Sequence, residues 1–103
     1  MKYALIALIA LIAIVAPAMA DTSELVFDPA KLCAWQATNN GMDVVECSKL
    51  EDEGKAALTE LEGKAEQTRK DECVAEAKSF SGDSGFASYT VYTGCLKNGP
   101  GSL

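Results

Sequence analysis

Histidine is absent from the 103 residues, and that absence removes most hydrolytic chemistry at the outset. A Ser hydroxyl needs a neighbouring base to take its proton, and His is the usual one near neutral pH. The four cysteines, at 33, 47, 73 and 95, contain no C-x2-C pair. With no His to complete a ligand set, a zinc site is disfavoured. No glycine-rich phosphate loop and no Lys/Arg cluster occur, and acidic residues outnumber basic ones 15 to 9. Such a surface repels phosphate backbones, so nucleic acid is excluded as a partner. Acid and base work would fall to carboxylates alone, and neighbours such as Glu51 and Asp52 diverge on a helix. The sequence therefore points away from an enzyme and implies no cofactor or metal.

One stretch argues superficially the other way. Gly82-Asp83-Ser84-Gly85 is the tetrapeptide that surrounds the nucleophile of trypsin-like proteases. Ser84 has no His to activate it, the chain is too short for that double barrel, and Phe86 stands where the G-x-S-x-G elbow of esterases needs Gly. The segment reads as a turn, in which Gly supplies conformational freedom while Asp and Ser bond locally to the backbone.

Long apolar runs are missing except at the start. Lys2 precedes an unbroken Ala/Leu/Ile/Val run from Ala4 to Val15, and Pro17-Ala18-Met19-Ala20 ends in an A-x-A site before Asp21. Residues 1–20 are predicted to be a secretory signal peptide cleaved after Ala20, which leaves no stable membrane anchor. The product is expected in the periplasm or outside the cell. Loss of Lys2 takes the formal charge from −6 to −7. An even number of cysteines in an oxidising compartment reads as two disulfides, and a domain this small needs such staples.

The predicted organisation is a tail at 21–28, a four-cysteine helical domain at 29–98 and a short tail at 99–103. Asp28-Pro29 starts the first helix, with Asp as N-cap and Pro at the first helical position, and Asn39-Asn40-Gly41 ends it. Asp43 caps the next helix, with Glu46 three residues on. From Val44 to Phe80 the chain is rich in Ala, Glu, Lys and Leu and lacks Pro, which predicts a long central helix. Gly54 and Gly63 weaken it, each by roughly 1 kcal/mol relative to Ala, and a bend near Gly63 is open. Phe86 to Lys97 has mixed signals. Thr90, Val91 and Thr93 favour strand, whereas Phe86, Tyr89, Thr93 and Leu96 share a helical face; the reading adopted is helix, closed by Asn98-Gly99-Pro100-Gly101. The fold class is all-α, a small disulfide-stapled three-helix arrangement.

Geometry selects the bridges. Cys47 and Cys73 are 26 residues apart, roughly 39 Å along a continuous helix, whereas a disulfide needs Cα atoms within about 7 Å. Cys33 and Cys47 lie at similar distances either side of Gly41, and Cys73 and Cys95 either side of the Gly82–Gly85 turn. Antiparallel helices then bring Cys33 to Cys47 and Cys73 to Cys95. Trp35 and Tyr89 are expected to fill the core beside them.

Three apolar residues of the central helix, Ala57, Leu58 and Leu61, have no evident cover. The Leu25-Val26-Phe27 tail could fold onto them, a bend at Gly54 or Gly63 could bury them, or they remain an apolar patch for interaction or self-association.

The back half of the chain carries a resemblance. "RKDEC" from Arg69 to Cys73, the loop "FSGDSGF", and "YTVYTGCL" with Tyr92 three before Cys95 resemble the lysozyme inhibitor LprI-like family. The front half is similar through Cys33 and through Met42 shortly before Glu46-Cys47-Ser48. The resemblance implies a small exported helical protein that binds and inhibits a lysozyme-type cell-wall hydrolase. A basic lysozyme is a natural partner for an acidic surface. Candidate contacts are Asp83, Ser84 and Phe86 at the hairpin tip and the acidic run Glu51-Asp52-Glu53. The competing reading is a structural envelope protein that forms a homodimer, or holds a partner helix, through Leu58 and Leu61.

Overall fold

The structure, a computed structural model, describes residues 22–102. The signal-peptide reading of residues 1–20 lies outside the described residues. Local sequence accounts for the first two helices. Asp28 accepts from the Lys31 backbone N–H at 3.1 Å, Pro29 follows, and α1 spans Pro29–Asn40. Gly41 ends it at φ 68°, in the left-handed region where glycine alone is unstrained. Asp43 then accepts from the Glu46 N–H at 2.9 Å and opens α2, Val44–Lys64.

The long helical run is two helices. At Ala65 and Glu66 the backbone becomes extended, with ψ of 143° and 155°, and α3 begins as Gln67–Phe80. The break falls two residues past Gly63, at the bend that glycine suggested. The Leu61 carbonyl in the last turn of α2 still accepts from the Ala65 N–H at 3.0 Å.

After α3 the chain reverses through Ser81–Gly85, where the Gly85 N–H donates to Ser81 O at 2.7 Å and Gly85 takes φ 86°. The final helix, α4, spans Tyr89–Asn98. It starts three residues later than the sequence suggested, because Phe86 and Ala87 are extended. Ala87 forms a parallel bridge to Phe27 and donates to Val26 O at 2.7 Å. Ser88 then caps α4 by accepting from the Val91 N–H at 3.1 Å.

The all-α architecture and both bridges are as the sequence implied. Cys33 joins Cys47 with Cα atoms 5.6 Å apart, and Cys73 joins Cys95 at 5.5 Å. The first bridge closes the α1–α2 hairpin and the second the α3–α4 hairpin. Because the chain turns at Ala65-Glu66, α4 also packs along α2. The Gly54 side of α2 meets Tyr89 at the start of α4, and farther along the Tyr92 hydroxyl donates to Glu62 at 2.9 Å. The two helices therefore run side by side in one direction.

The main core surrounds the second bridge. Leu25, Cys73, Val74, Ala77, Ala87, Tyr92, Cys95 and Leu96 are buried there, with Phe27, Leu58, Leu61 and Ala65 packed against them. Two of the suggested covers therefore act together: the tail contributes Leu25 and Phe27, and the bend returns α3 and α4 towards α2. The aromatic expectation needs correction. Tyr92 is the fully buried aromatic, whereas Trp35 and Tyr89 are half-buried. Tyr92 precedes Cys95 by one helical turn and so shares its inward face, while Tyr89 stacks on Phe27 at 4.1 Å near the edge. Among the described residues no helix is long and apolar enough to cross a membrane.

Candidate functional site

At the hairpin tip the three candidate residues have different situations. Asp83 is exposed. The Ser84 hydroxyl donates to Phe86 O and accepts from the Phe86 N–H, both at 3.1 Å. These bonds occupy the hydroxyl inside its own turn and pull Phe86 to a half-buried position. Ser81 closes the other end by donating to Lys78 O at 2.8 Å. The tip is thus a tied loop that presents one carboxylate. Its base is fixed by the Cys73–Cys95 bridge and by the ion pair of Lys78 with Glu24 at 3.0 Å, which joins the N-terminal tail to α3.

Leu58 and Leu61 do not form a bare stripe. Both are half-buried against the main core. Leu61 also reaches a shallow groove between α2 and α4, along with Leu50, Ala57, Thr90 and Thr93.

The acidic run divides by burial. Asp52 and Glu53 are exposed, as a solvated helix face requires, but Glu51 is only 3% exposed. Its carboxylate accepts from the Ser88 hydroxyl, from the Tyr89 N–H at 2.8 Å and from the Thr90 N–H at 3.2 Å. Glu51 thus supplies α2's cap to the N-terminus of α4, where unsatisfied N–H groups and the helix dipole both favour negative charge. This withdraws Glu51 from the contact candidates. One turn later Gly54 is buried, and its missing side chain lets the α4 backbone approach. Glu51 and Gly54 form a latch that the sequence reading did not assign. Its available signal was a Glu three residues before a mid-helix Gly, combined with the Ser88 start signal on a distant helix.

The latch makes a direct prediction. Glu51→Ala leaves two backbone N–H groups and a hydroxyl without their acceptor, at roughly 1–3 kcal/mol for each group that stays buried. Partial access of water on relaxation reduces the sum, and a loss of about 3 kcal/mol is expected in urea unfolding of the oxidised protein. Asp52→Ala, on the exposed neighbour, should change stability by less than about 0.5 kcal/mol. Equal effects of the two substitutions would refute the latch.

All four cysteines are consumed in the two disulfides, so no thiol is available for chemistry. Compared with known protein families, curated proteins and solved structures, the chain yields no match.

Proposed function

We propose that this protein is a small exported, non-catalytic binding domain that engages a basic protein, with a lysozyme-type cell-wall hydrolase as the leading partner. The observation that carries the reading is the tip. Asp83 projects from a turn tied by Ser84 and Phe86, directly beyond the stapled α3–α4 stem. A loop held in one conformation loses little entropy on binding, which favours affinity at a small contact surface. The acidic excess steers a cationic partner and raises its encounter rate. Two disulfides suit the oxidising compartment that the N-terminal signal implies. The LprI-like resemblance of the back half adds lysozyme as the specific candidate.

Self-association through Leu58 and Leu61 has weaker support, since the main core already covers much of both residues. An acidic surface also opposes the approach of a second copy.

Titration calorimetry with a basic lysozyme at low and high salt tests the reading. Binding is expected, with affinity falling as salt rises, because exposed charges more than about 10 Å apart are screened near 0.1 M ionic strength. Asp83→Ala should weaken it about tenfold, equivalent to roughly 1.4 kcal/mol. Absence of binding even at low salt would remove lysozyme as the partner. Unaltered affinity in Asp83→Ala would remove the tip from the contact.

A further inference from the structure

We infer that the groove between α3 and α4 receives an apolar side chain flanked by Lys or Arg from a cationic protein partner. This inference deepens the proposed function and rests on its cationic-partner reading, while assigning the contact to a surface beside the tip.

The groove is lined by Ala75, Glu76, Ser79, Phe80, Val91 and Gly101. Its apolar wall includes Phe80, the last residue of α3, which remains 38% exposed. Burial of apolar surface contributes roughly 25 cal/mol per Å², so an aromatic ring left partly in water at a groove wall is a natural anchor. Ala75 and Ser79 lie four residues apart on one face of α3. Their small side chains leave room for a partner's backbone to come close.

Charge selects the occupant. Among the described residues Glu76 is the only ionisable side chain in the lining, and it is held in place by accepting from the Gly101 N–H. Glu72 lies one turn earlier on the same helical face, where Arg69 approaches it at 3.9 Å. Asp83 follows three residues after Phe80 and is exposed. Among the described residues no lysine or arginine lines the groove. An apolar floor with an acidic wall matches a partner that presents an aliphatic or aromatic side chain between basic ones. It matches a second copy poorly, since the chain's formal charge is −6 and like charges oppose association. The α2–α4 groove is less selective, because Glu53 and Lys97 both line it.

The test uses the full exported, oxidised protein, labelled with ¹⁵N, and a short amphipathic Leu/Lys helical peptide. A Leu/Ser peptide of the same pattern serves as the uncharged comparison. Amide shifts with the Leu/Lys peptide are expected to concentrate at Ala75, Ser79, Phe80, Val91 and Gly101. Phe80→Ser should weaken binding at least about tenfold and Glu76→Gln about threefold, equivalent to roughly 1.4 and 0.7 kcal/mol. Asp52→Asn, which removes an exposed charge on α2, should change it less than about twofold. Circular dichroism melts check that each variant remains folded, and the unmodified protein's shift map is decisive even if one does not. Shifts spread over α2, equal binding of the Leu/Ser peptide, or equal losses in Asp52→Asn and Phe80→Ser would overturn the inference. Lysozyme as a second titrant separates the two readings. If the peptide occupies the groove but lysozyme does not bind, the groove stands and the lysozyme assignment falls. If lysozyme binds with unchanged affinity to Phe80→Ser, lysozyme stands and the groove falls.

Discussion

Gly54→Ala is expected to destabilise the protein by about 3 kcal/mol, the upper end of ordinary overpacking, whereas Gly63→Ala should stabilise it by about 0.5–1 kcal/mol. The two glycines occupy the same helix and differ only in what faces them. A Cβ at Gly54 would lie 2.8 Å from the Tyr89 carbonyl carbon, 2.9 Å from its oxygen and 2.9 Å from the Thr90 nitrogen. All three are backbone atoms, so no side-chain rotation relieves the clash. The start of α4 would have to move away from α2. That movement strains the bonds from Ser88, Tyr89 and Thr90 to Glu51, which bind the same point of contact. At Gly63 an added Cβ meets nothing within 4 Å, so the substitution only restricts the unfolded chain and improves helix propensity. Urea unfolding of the two oxidised variants checks the contrast. If Gly54→Ala were as stable as the parent, α4 would not be seated on α2 as described.

The second large effect separates the two disulfides. Their sequence separations are 14 and 22 residues, for which loop-closure entropy gives about 3 kcal/mol in either case. Chain entropy therefore does not distinguish them, and packing must. Cys73 and Cys95 sit fully buried in the main core with Val74, Tyr92 and Leu96. Removing that bridge releases α3 from α4 and opens the cluster that Leu58 and Leu61 lean on. The Cys73→Ala/Cys95→Ala double variant is expected to lose about 5 kcal/mol, the upper end for a small disulfide-stapled domain, and to lack a cooperative melt near 37 °C. Cys33 and Cys47 instead tie α1 to α2, and the buried residues of α1 are Leu32 and Cys33, neither of which belongs to the main cluster. The Cys33→Ala/Cys47→Ala variant should lose hydrogen-exchange protection across Pro29–Asn40 while retaining it in α3 and α4. Equal loss of protection throughout both variants would mean that the two hairpins form one cooperative unit.

Features set by neighbouring residues were legible in the sequence. Asp28-Pro29, Asp43 and Gly41 announced helix ends through chemistry that acts within a single turn. The disulfide pairing was legible from the Gly41 and Gly82–Gly85 reversals, each of which brings one pair together across a hairpin. The unbroken rod that would separate Cys47 from Cys73 does not form, and the break at Ala65-Glu66 leaves the pairing intact because each bridge closes its own hairpin. The break itself was legible only as a weakness near Gly63. Ala65 and Glu66 are good helix formers, and it is their surroundings that hold them extended, with α4 packed along α2. Glu51 was harder still, because its neighbours Asp52 and Glu53 have the same chemistry. Its difference comes from an N-terminus 37 residues away. Sequence alone marks Gly54 as a weak point in a helix, whereas its role in the fold is to admit the α4 backbone. That Tyr92 and not Tyr89 fills the core is not legible from residue type, which cannot rank two tyrosines one turn apart; its place one turn before Cys95 puts Tyr92 on the inward face. Of the candidate site, the turn at Ser84 was legible from its residues. The groove at Phe80 was not, since it forms only when α3 and α4 are brought side by side.

The most direct measurement is lysis of bacterial cell walls by a basic lysozyme, with and without excess oxidised protein, and with a reduced and alkylated sample alongside. Dose-dependent protection by the oxidised protein, lost on reduction, is the expected result. It would tie activity to the stapled tip and stem. Unchanged lysis with the oxidised protein in large excess, across several basic lysozymes, would contradict the proposed engagement of a lysozyme-type hydrolase.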